Sequence, residues 1–391
     1  MEKNKIKYLS FEGGGGKGNA FLGAIGALEV LEILKKNNVS FLMYNQILGL
    51  SGASAGAITA FLISLGYSSK DIYEIFTETN FDEFFDEPVE GEKLFGNQFK
   101  QTANTSDLPH GVFMEILEKV DYINLKFFQI ILNKKLKELD KSESQLVLKL
   151  LKKLSLYLSC LKYDFGLFSG KKLKSFFDNC LKKKLIEKKI DCLPENYTFE
   201  QHYVDFGVKL ALTGTNFSTE NSHFFSHKTT PLVPITTAVR LSMSLPFIYK
   251  PVIFDSNVIK KFQLDKSYEG YYLDGGLFNN APVRTFEDQK DSETILFRLG
   301  NREQKNKFDY FISDYLFNYL KMSLMGNSGS GQVTMSTFNF NNIIQLDITG
   351  TDLLKFNMNK EELLKLSNHN FSNICRIFEP NKKFKLPFGK I

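Results

Sequence analysis

A serine at the centre of a glycine-rich pentapeptide is the residue best suited to chemistry. Ser54 stands in Gly52-Ala53-Ser54-Ala55-Gly56, a G-x-S-x-G pattern between an apolar run at residues 47–50 and a helix-like run at residues 57–65. The pattern predicts a strand, a tight turn whose flanking glycines avoid a Cβ clash, and a helix. Such a serine can act as a nucleophile with the helix N-terminus facing an oxyanion. Its side chain can instead serve simply to cap the helix, and a suitably placed partner residue would distinguish the nucleophile from the cap.

Asp274 is the second candidate. It follows the strand-like run Tyr271–Leu273 and precedes Gly275 and Gly276. An aspartate in this setting is most often a turn former. A carboxylate within hydrogen-bond reach of a serine also serves as its general base, provided that it stays dry enough to be basic.

A glycine-rich loop, Gly13-Gly14-Gly15-Gly16-Lys17-Gly18, lies between a predicted strand at residues 6–11 and a predicted helix at residues 21–31. A Walker A loop requires Ser or Thr after the lysine, where this chain has Gly18. The Rossmann glycine spacing is satisfied, but no second strand ending in an acidic residue follows at the expected distance. The interpretation that gives Ser54 a partner is an oxyanion loop, in which glycines let successive backbone N–H groups point to one place.

The elements that position these residues are predicted from apolar periodicity. No repeat and no linker divides the chain. Strands are predicted at residues 208–216, with 224–226 as partner, and at 294–299; helices are predicted at 71–85, 112–162, 236–243 and 360–378, and a flexible breaker at 326–331.

The glycine loop, the serine pentapeptide and the Asp274-Gly275-Gly276 turn stand in an order that resembles the patatin-like phospholipase family. Three further segments are similar to that family: Gly166–Gly170, Ala238–Phe247 and Phe356–Met358. The resemblance extends over residues 6–378 and is interrupted at residues 88–162.

The resemblance implies a lipid acyl hydrolase of the phospholipase A or lysophospholipase type that uses a Ser–Asp dyad. Ser54 would be the nucleophile and Asp274 the base, and the N–H groups of Gly13, Gly14, Gly15 and Gly16 would form the oxyanion hole. Lys17, Gly18, Gly52, Gly56, Gly275 and Gly276 would support these motifs, with Lys17 either steering anionic lipid or pairing with a carboxylate. It implies no cofactor and no metal.

The fold that the resemblance implies is a single α/β domain over residues 1–391. Its mostly parallel central sheet would be sandwiched by helices, with Ser54 at the carboxyl end of its strand. Residues 88–162 would be a helical insertion that acts as a cap over the entrance.

Two alternatives stay open. An α/β-hydrolase triad requires a histidine after the aspartate, and only His369 follows Asp274, inside a predicted helix. Four other histidines precede it: His110, His202, His223 and His227. The second alternative is a catalytically silent lipid-binding signalling protein, which would have little use for an intact serine, aspartate and oxyanion loop.

Composition indicates a soluble globular protein whose net charge permits attraction to an anionic membrane but does not require it. Its 391 residues are 43% hydrophobic and 24% charged, and the net charge of +5 is too modest to indicate nucleic-acid binding. The lysine-rich helical stretch within 112–162 and the basic stretch Lys171–Lys189 are either solvated faces or interfacial surfaces.

The N-terminal residues lack the apolar core of a signal peptide, and no CxxC spacing joins the four cysteines. We therefore expect a cytoplasmic protein with peripheral membrane association and a phospholipid or lysophospholipid substrate. Export as an effector and dependence on an unidentified activator stay open.

Overall fold

The computed structural model describes residues 2–85, 160–300, 340–351 and 356–389. Most of the segment predicted to form a cap, residues 88–162, lies outside these ranges, as does the predicted breaker at residues 326–331. The role of the insertion stays a prediction.

Ten strands lie in the described ranges. Residues 224–226 belong to a strand that pairs with the long strand at 209–216, as predicted, and the pairing is antiparallel. The strands are β1 (Tyr8–Phe11), β2 (Gly49–Gly52), β3 (Gly166–Phe168), β4 (Lys209–Asn216), β5 (Asn221–Ser226), β6 (Phe247–Tyr249), β7 (Val252–Phe254), β8 (Gly270–Asp274), β9 (Thr294–Leu299) and β10 (Ile343–Leu346).

The central sheet has the strand order β10-β9-β1-β2-β4-β8-β7, with β5 also paired to β4. Strands β10, β9, β1, β2 and β4 run parallel to one another. Both β5 and β8 are antiparallel to β4, and β7 is antiparallel to β8. The predicted mostly parallel sheet is confirmed, with its antiparallel pairings confined to one side. A separate pair of parallel strands consists of β3 and β6.

Strands β2 and β8 meet end to end along one edge of β4. Gly52 at the end of β2 pairs with Leu212, and Asp274 at the end of β8 pairs with Gly214. Strand β5 occupies the other edge of β4 over this stretch. Because a strand has two edges, β2 and β8 share the remaining one, with Thr213 between their carboxyl ends. This arrangement brings the residues that follow β2 close to the last residue of β8.

Helices flank the sheet. The first two are buried on nearly all sides, as their small and apolar residues predict. The helices are α1 (Phe21–Val30), α2 (Ala55–Ser64), α3 (Ser69–Glu78), α4 (Lys171–Glu187), α5 (Phe199–Phe206), α6 (Ile235–Ser242), α7 (Ser256–Lys261) and α8 (Lys360–Phe378).

Helix α3 corrects the predicted helix at residues 71–85. It starts earlier, because Ser68 and Asp71 form a reciprocal capping box. It ends at Glu78, and Asn80 then caps a separate 3₁₀ turn, Phe81–Phe84. The acidic residues of this segment therefore belong to two elements.

The helices near the site pack directly on the sheet. Helix α2 packs on β1, β2 and β4, while α6 packs on β4 and β8. Helix α1 packs against α3 and α8. Within the described ranges, no helix combines the length and apolar character needed to cross a membrane.

Candidate active site

Ser54 occupies a strained turn between β2 and α2. Its φ of 50° and ψ of −122° are unusual for a residue with a side chain, and such backbone strain costs about 1–3 kcal/mol. The turn is so tight that a Cβ at Gly52 would lie 2.2 Å from the carbonyl oxygen of Gly56. A Cβ at Gly56 would lie 2.1 Å from the carbonyl oxygen of Phe11. Both flanking glycines are therefore needed for strand and helix to converge here.

The hydroxyl of Ser54 donates a hydrogen bond to Asp274, with 2.7 Å between Oγ and Oδ2. Ser54 is 3% exposed and Asp274 is fully buried. The other carboxylate oxygen of Asp274 accepts a hydrogen bond from the Gly276 N–H at 2.8 Å. Gly275 opens the 3₁₀ turn after β8, where a Cβ would collide with Thr213. The structure thus brings the predicted serine and aspartate into direct contact.

The environment of Asp274 makes its carboxylate more basic than usual. Burial raises the pKa of Asp274 from 3.8 to about 7, although the hydrogen bonds from Ser54 and Gly276 act in the opposite direction. A carboxylate with a pKa near neutrality can accept a proton from a hydroxyl more readily than an exposed one. The hydroxyl of Ser54 thus lies within hydrogen-bond distance of a carboxylate whose pKa is near neutrality.

The glycine loop lies beside this pair. Gly15 has a φ of 54° and begins a 3₁₀ helix, Gly15–Ala20, whose first N–H groups have no partner inside the helix. The Gly13 N–H, by contrast, donates to the Asn280 carbonyl at 2.9 Å. The Gly13 N–H is thus already hydrogen-bonded, so the predicted oxyanion donors that are left are the N–H groups of Gly14, Gly15 and Gly16. Gly18 packs against Ala55, and Lys17 is 7% exposed, so it does not belong to an exposed basic surface.

Two small apolar cavities adjoin the Ser54 turn. The first, of about 30 Å³, is lined by Gly15, Gly16 and Ala55. The second, of about 20 Å³, is lined by Met243, whose sulfur lies 3.7 Å from Ser54 Oγ. Phe81, Phe356 and Ile58 line both cavities, and further aromatic rings contribute to their walls. The space beside the serine is therefore lined largely by apolar side chains.

Three residues that sequence reasoning did not single out hold the pair in place. The Ser54 N–H donates to Ser242 Oγ at 3.0 Å, and the Asp274 N–H donates to the Ser244 carbonyl at 2.8 Å. The buried guanidinium of Arg240 donates to Ser244 Oγ at 2.7 Å. All three lie in Ala238–Phe247, a segment whose sequence resembled the family without indicating a role for each residue.

The histidines of the described ranges have other partners. His369 lies 3.6 Å from Asp347 and bonds to Asn373 on α8. His202 is buried against Ser64, where burial lowers its pKa to about 3. His223 bonds to the Tyr272 hydroxyl and His227 stacks on Tyr203. His110 lies outside the described residues. In the same ranges, no cluster of three or more potential ligands is arranged to hold a metal ion.

The order of the three motifs and their geometry agree with a comparison of the sequence with known families. The sequence profile described as patatin-like phospholipase matches residues 9–287. The chain belongs to the patatin-like phospholipase family. Membership in this family supports lipid hydrolysis as the activity of this patatin-like protein.

Relatives are similar over most of the chain. A probable lipid hydrolase of Invertebrate iridescent virus 6 is 22% identical over 374 residues, which cover 94% of this patatin-like chain and 92% of the relative. The uncharacterized protein YqhO of Bacillus subtilis is 24% identical over 309 residues, 77% of this chain and 76% of the relative. The crystal structure of VipD from Legionella pneumophila aligns with a TM-score of 0.47 and 19% identity, covering 96% of this chain and 67% of that one.

Proposed function

We propose that this protein hydrolyses the carboxylic ester bonds of phospholipids or lysophospholipids through an acyl-enzyme on Ser54, with Asp274 as the only protein base. The observation that carries the proposal is the 2.7 Å hydrogen bond between Ser54 Oγ and the buried Asp274 carboxylate. In a dyad the carboxylate must itself accept the proton, and its raised pKa fits that task.

Acylation begins when Ser54 Oγ attacks the ester carbonyl carbon and its proton passes to Asp274 Oδ2. The tetrahedral intermediate carries a negative oxygen. When it collapses, the bond between the carbonyl carbon and the leaving oxygen breaks, and Asp274 returns the proton to the leaving alcohol. The products of this half-reaction are a lysophospholipid, or a glycerophospho-alcohol, and an acyl-Ser54 ester.

The oxyanion would be held by the N–H groups of Gly14, Gly15 and Gly16 together with that of Ala55, the first residue of α2. Ala55, Gly15 and Gly16 line one cavity, and the first N–H groups of a helix have no partner inside it. The Ser54 N–H is engaged with Ser242 and is therefore not part of this set. Losing one such donor typically costs about 3 kcal/mol of transition-state stabilisation.

Deacylation uses the same groups in reverse. Water attacks the acyl carbon while Asp274 accepts its proton, and Ser54 leaves with that proton as the fatty acid departs. The first carbons of the acyl chain would lie against the apolar walls formed by Phe81 and Phe356, because covering them there with aromatic and aliphatic groups gains free energy.

The test is product release from a phosphatidylcholine with palmitate at sn-1 and oleate at sn-2. We expect wild type to release at least one fatty acid, with the ratio of the two reporting the position attacked. Ser54→Ala should lower the rate by roughly 10⁴-fold or more, since the nucleophile is lost. As a matched control, Ser175→Ala removes an exposed hydroxyl on α4 and should leave the rate unchanged.

His369→Ala separates the dyad from a triad. Its exposed ring on α8 bonds to Asn373, so we expect activity near that of wild type. A thousandfold loss would favour the triad. Equal turnover by wild type and Ser54→Ala would instead favour a lipid-binding protein without catalysis.

A further inference from the structure

Five aromatic side chains form a partly exposed surface that the proposed chemistry does not use. Four of them are unusually exposed for their size, between 43% and 66%, and the fifth is partly buried. We name this surface the aromatic rim; its members are Tyr163, Phe165, Phe217, Phe247 and Tyr271.

Contacts join the members of the aromatic rim. The rings of Phe165 and Tyr271 meet edge to face, with 5.8 Å between centroids. The Phe217 N–H donates to the Tyr271 carbonyl at 2.8 Å. Phe247 is the register partner of Gly166, the residue after Phe165. These residues therefore come from four chain segments whose backbones run next to one another.

Two of these phenylalanines are held in a conformation that their side chains disfavour. Phe165 has a φ of 59° and Phe247 a φ of 64°, and bulky residues rarely adopt the left-handed region. The fold thus maintains backbone strain at both positions and at the same time leaves both side chains about half exposed. Strain of this kind is found at ligand clamps and switch regions as well as at active sites.

The aromatic rim lies next to the cavities of the proposed active site. Strand β6 begins at Phe247 and ends at Tyr249, which lines the second cavity. Two residues of a strand span about 7 Å. Strand β8 likewise runs from the rim at Tyr271 to Asp274. Both strands therefore lead from the exposed rings to the site.

We propose that the aromatic rim docks on the surface of a lipid bilayer and sets the cavity mouth against it. The proposal rests on the proposed function, because docking matters to this enzyme only if its substrate is a bilayer lipid. Phe and Tyr rings suit the boundary between headgroups and acyl chains.

The charges beside the rim fit this occupant. Exposed lysines stand at both ends of the β3 segment: Lys162 lies over the Tyr163 ring at 5.4 Å, and Lys171 and Lys172 begin α4. Asp164, which lies between them in the chain, is buried in an ion pair with Lys250. Lysines at headgroup level are attracted to anionic lipid.

The test measures binding and turnover separately on the full chain. Binding is measured by co-sedimentation in the Ser54→Ala background, with vesicles of phosphatidylcholine alone or mixed with phosphatidylserine. The variant is Phe165→Asn with Phe247→Asn, since Asn tolerates a positive φ. Compared with the Ser54→Ala parent, we expect this variant to have a vesicle partition coefficient at least about tenfold lower and an unchanged or higher melting temperature. With Ser54 restored, the variant should hydrolyse vesicle lipid more slowly than wild type. Its hydrolysis of soluble p-nitrophenyl butyrate should be unchanged.

The matched control replaces two exposed apolar residues at the opposite end of β4. Val39→Asn with Val204→Gln removes side chains that are 96% and 65% exposed, and binding should match that of the parent. Phe217→Ser, where the backbone is not in the left-handed region, should weaken binding by about threefold and carries the test if the double variant does not fold.

Three results would overturn the proposal: no vesicle binding by the parent protein, equal binding by the parent and the rim variants, or the same loss in the control. If the parent protein binds no vesicles but forms a dimer that the rim variants dissociate and the control does not, the aromatic rim is instead occupied by a second copy of the chain. Because binding is measured without turnover, a protein that binds through the rim but hydrolyses no ester contradicts only the proposed function.

Discussion

The protonation state of Asp274 links the proposed chemistry of this protein to its stability. The carboxylate is fully buried, and only the Ser54 hydroxyl and the Gly276 N–H donate to it among the hydrogen bonds described. Burial dominates and raises its pKa to about 7. The same dry environment that makes the carboxylate a better base therefore makes its charged form costly.

The pH dependence of hydrolysis follows from this pKa. A base must be deprotonated to accept the Ser54 proton, so kcat/KM for a soluble ester should fall about tenfold per unit as pH drops below about 7. It should level off above that value. Measuring kcat/KM between about pH 5 and pH 9 in buffers of constant ionic strength checks this, and a profile that stays flat down to about pH 5 would contradict it.

The same carboxylate should destabilise the folded protein at alkaline pH. Between about pH 4 and pH 7 the folded state holds a proton on Asp274 that the unfolded chain has released, so stability falls as pH rises through this window. Asp274→Asn removes the penalty. Near pH 8 it should raise the free energy of unfolding by up to about 4 kcal/mol, and near pH 4 by little.

Chemical denaturation at the two pH values measures this difference, with activity assayed in parallel. Activity should be lost in Asp274→Asn even as stability rises. Asp191→Asn, an exposed site, serves as the control and should change neither quantity. A variant that is less stable than wild type at both pH values would show that the carboxylate is not strained by burial.

Helix α6 and the turn after it orient both halves of the pair. Ser242 accepts the Ser54 N–H, and the Ser244 carbonyl accepts the Asp274 N–H. Arg240 fixes this turn by donating to Ser244 Oγ and to the Ser169 carbonyl. A single helix end thus sets the relative position of a residue after β2 and a residue at the end of β8.

Removing one of these contacts should displace Ser54. In Ser242→Ala the buried Ser54 N–H loses its acceptor, which costs about 1–3 kcal/mol of stability. We expect kcat for a soluble ester to fall about tenfold, because small displacements of a reacting group are costly. Ser64→Ala removes another buried hydroxyl, bonded to the Phe61 carbonyl, and should lose similar stability with unchanged kcat. Equal kcat in wild type and Ser242→Ala would contradict this positioning role.

Local patterns in the sequence predicted the turns that carry Ser54 and Asp274, but not the contact between these two residues. Gly52 and Gly56 made the turn at Ser54 predictable, because only glycines fit between strand and helix. The approach of Asp274 depends on β8 joining β4 in antiparallel register at Gly214, which no local pattern specifies; only the family resemblance implied it. Similarly, Gly13 fits the glycine motif, but its engagement with Asn280 depends on a long-range contact.

At the scale of the whole molecule, the region that matches the family profile is smaller than the structure that surrounds the site. The match ends at residue 287, yet β9 pairs with β1 beyond that point. The buried Glu12 carboxylate, just before the glycine loop, accepts from the Leu299 N–H at 2.7 Å. Phe356 lines both cavities, and α8 packs on α1.

The C-terminal part of the chain should therefore be required for folding. A chain ending at residue 290 loses β9, β10 and α8, so it leaves an unpaired edge at β1 and exposes the apolar face of α1. At Gly23 of α1, a Cβ would lie 2.3 Å from the Ser367 carbonyl oxygen, which reflects how closely α8 packs there. We expect the shortened chain to show no cooperative thermal transition by circular dichroism and to precipitate on expression, whereas a chain lacking only residues 390–391 should melt like the full protein. If the shortened chain instead shows a cooperative transition and hydrolyses ester, the family-matched region folds by itself. The last two strands and the last helix would then not be needed for folding.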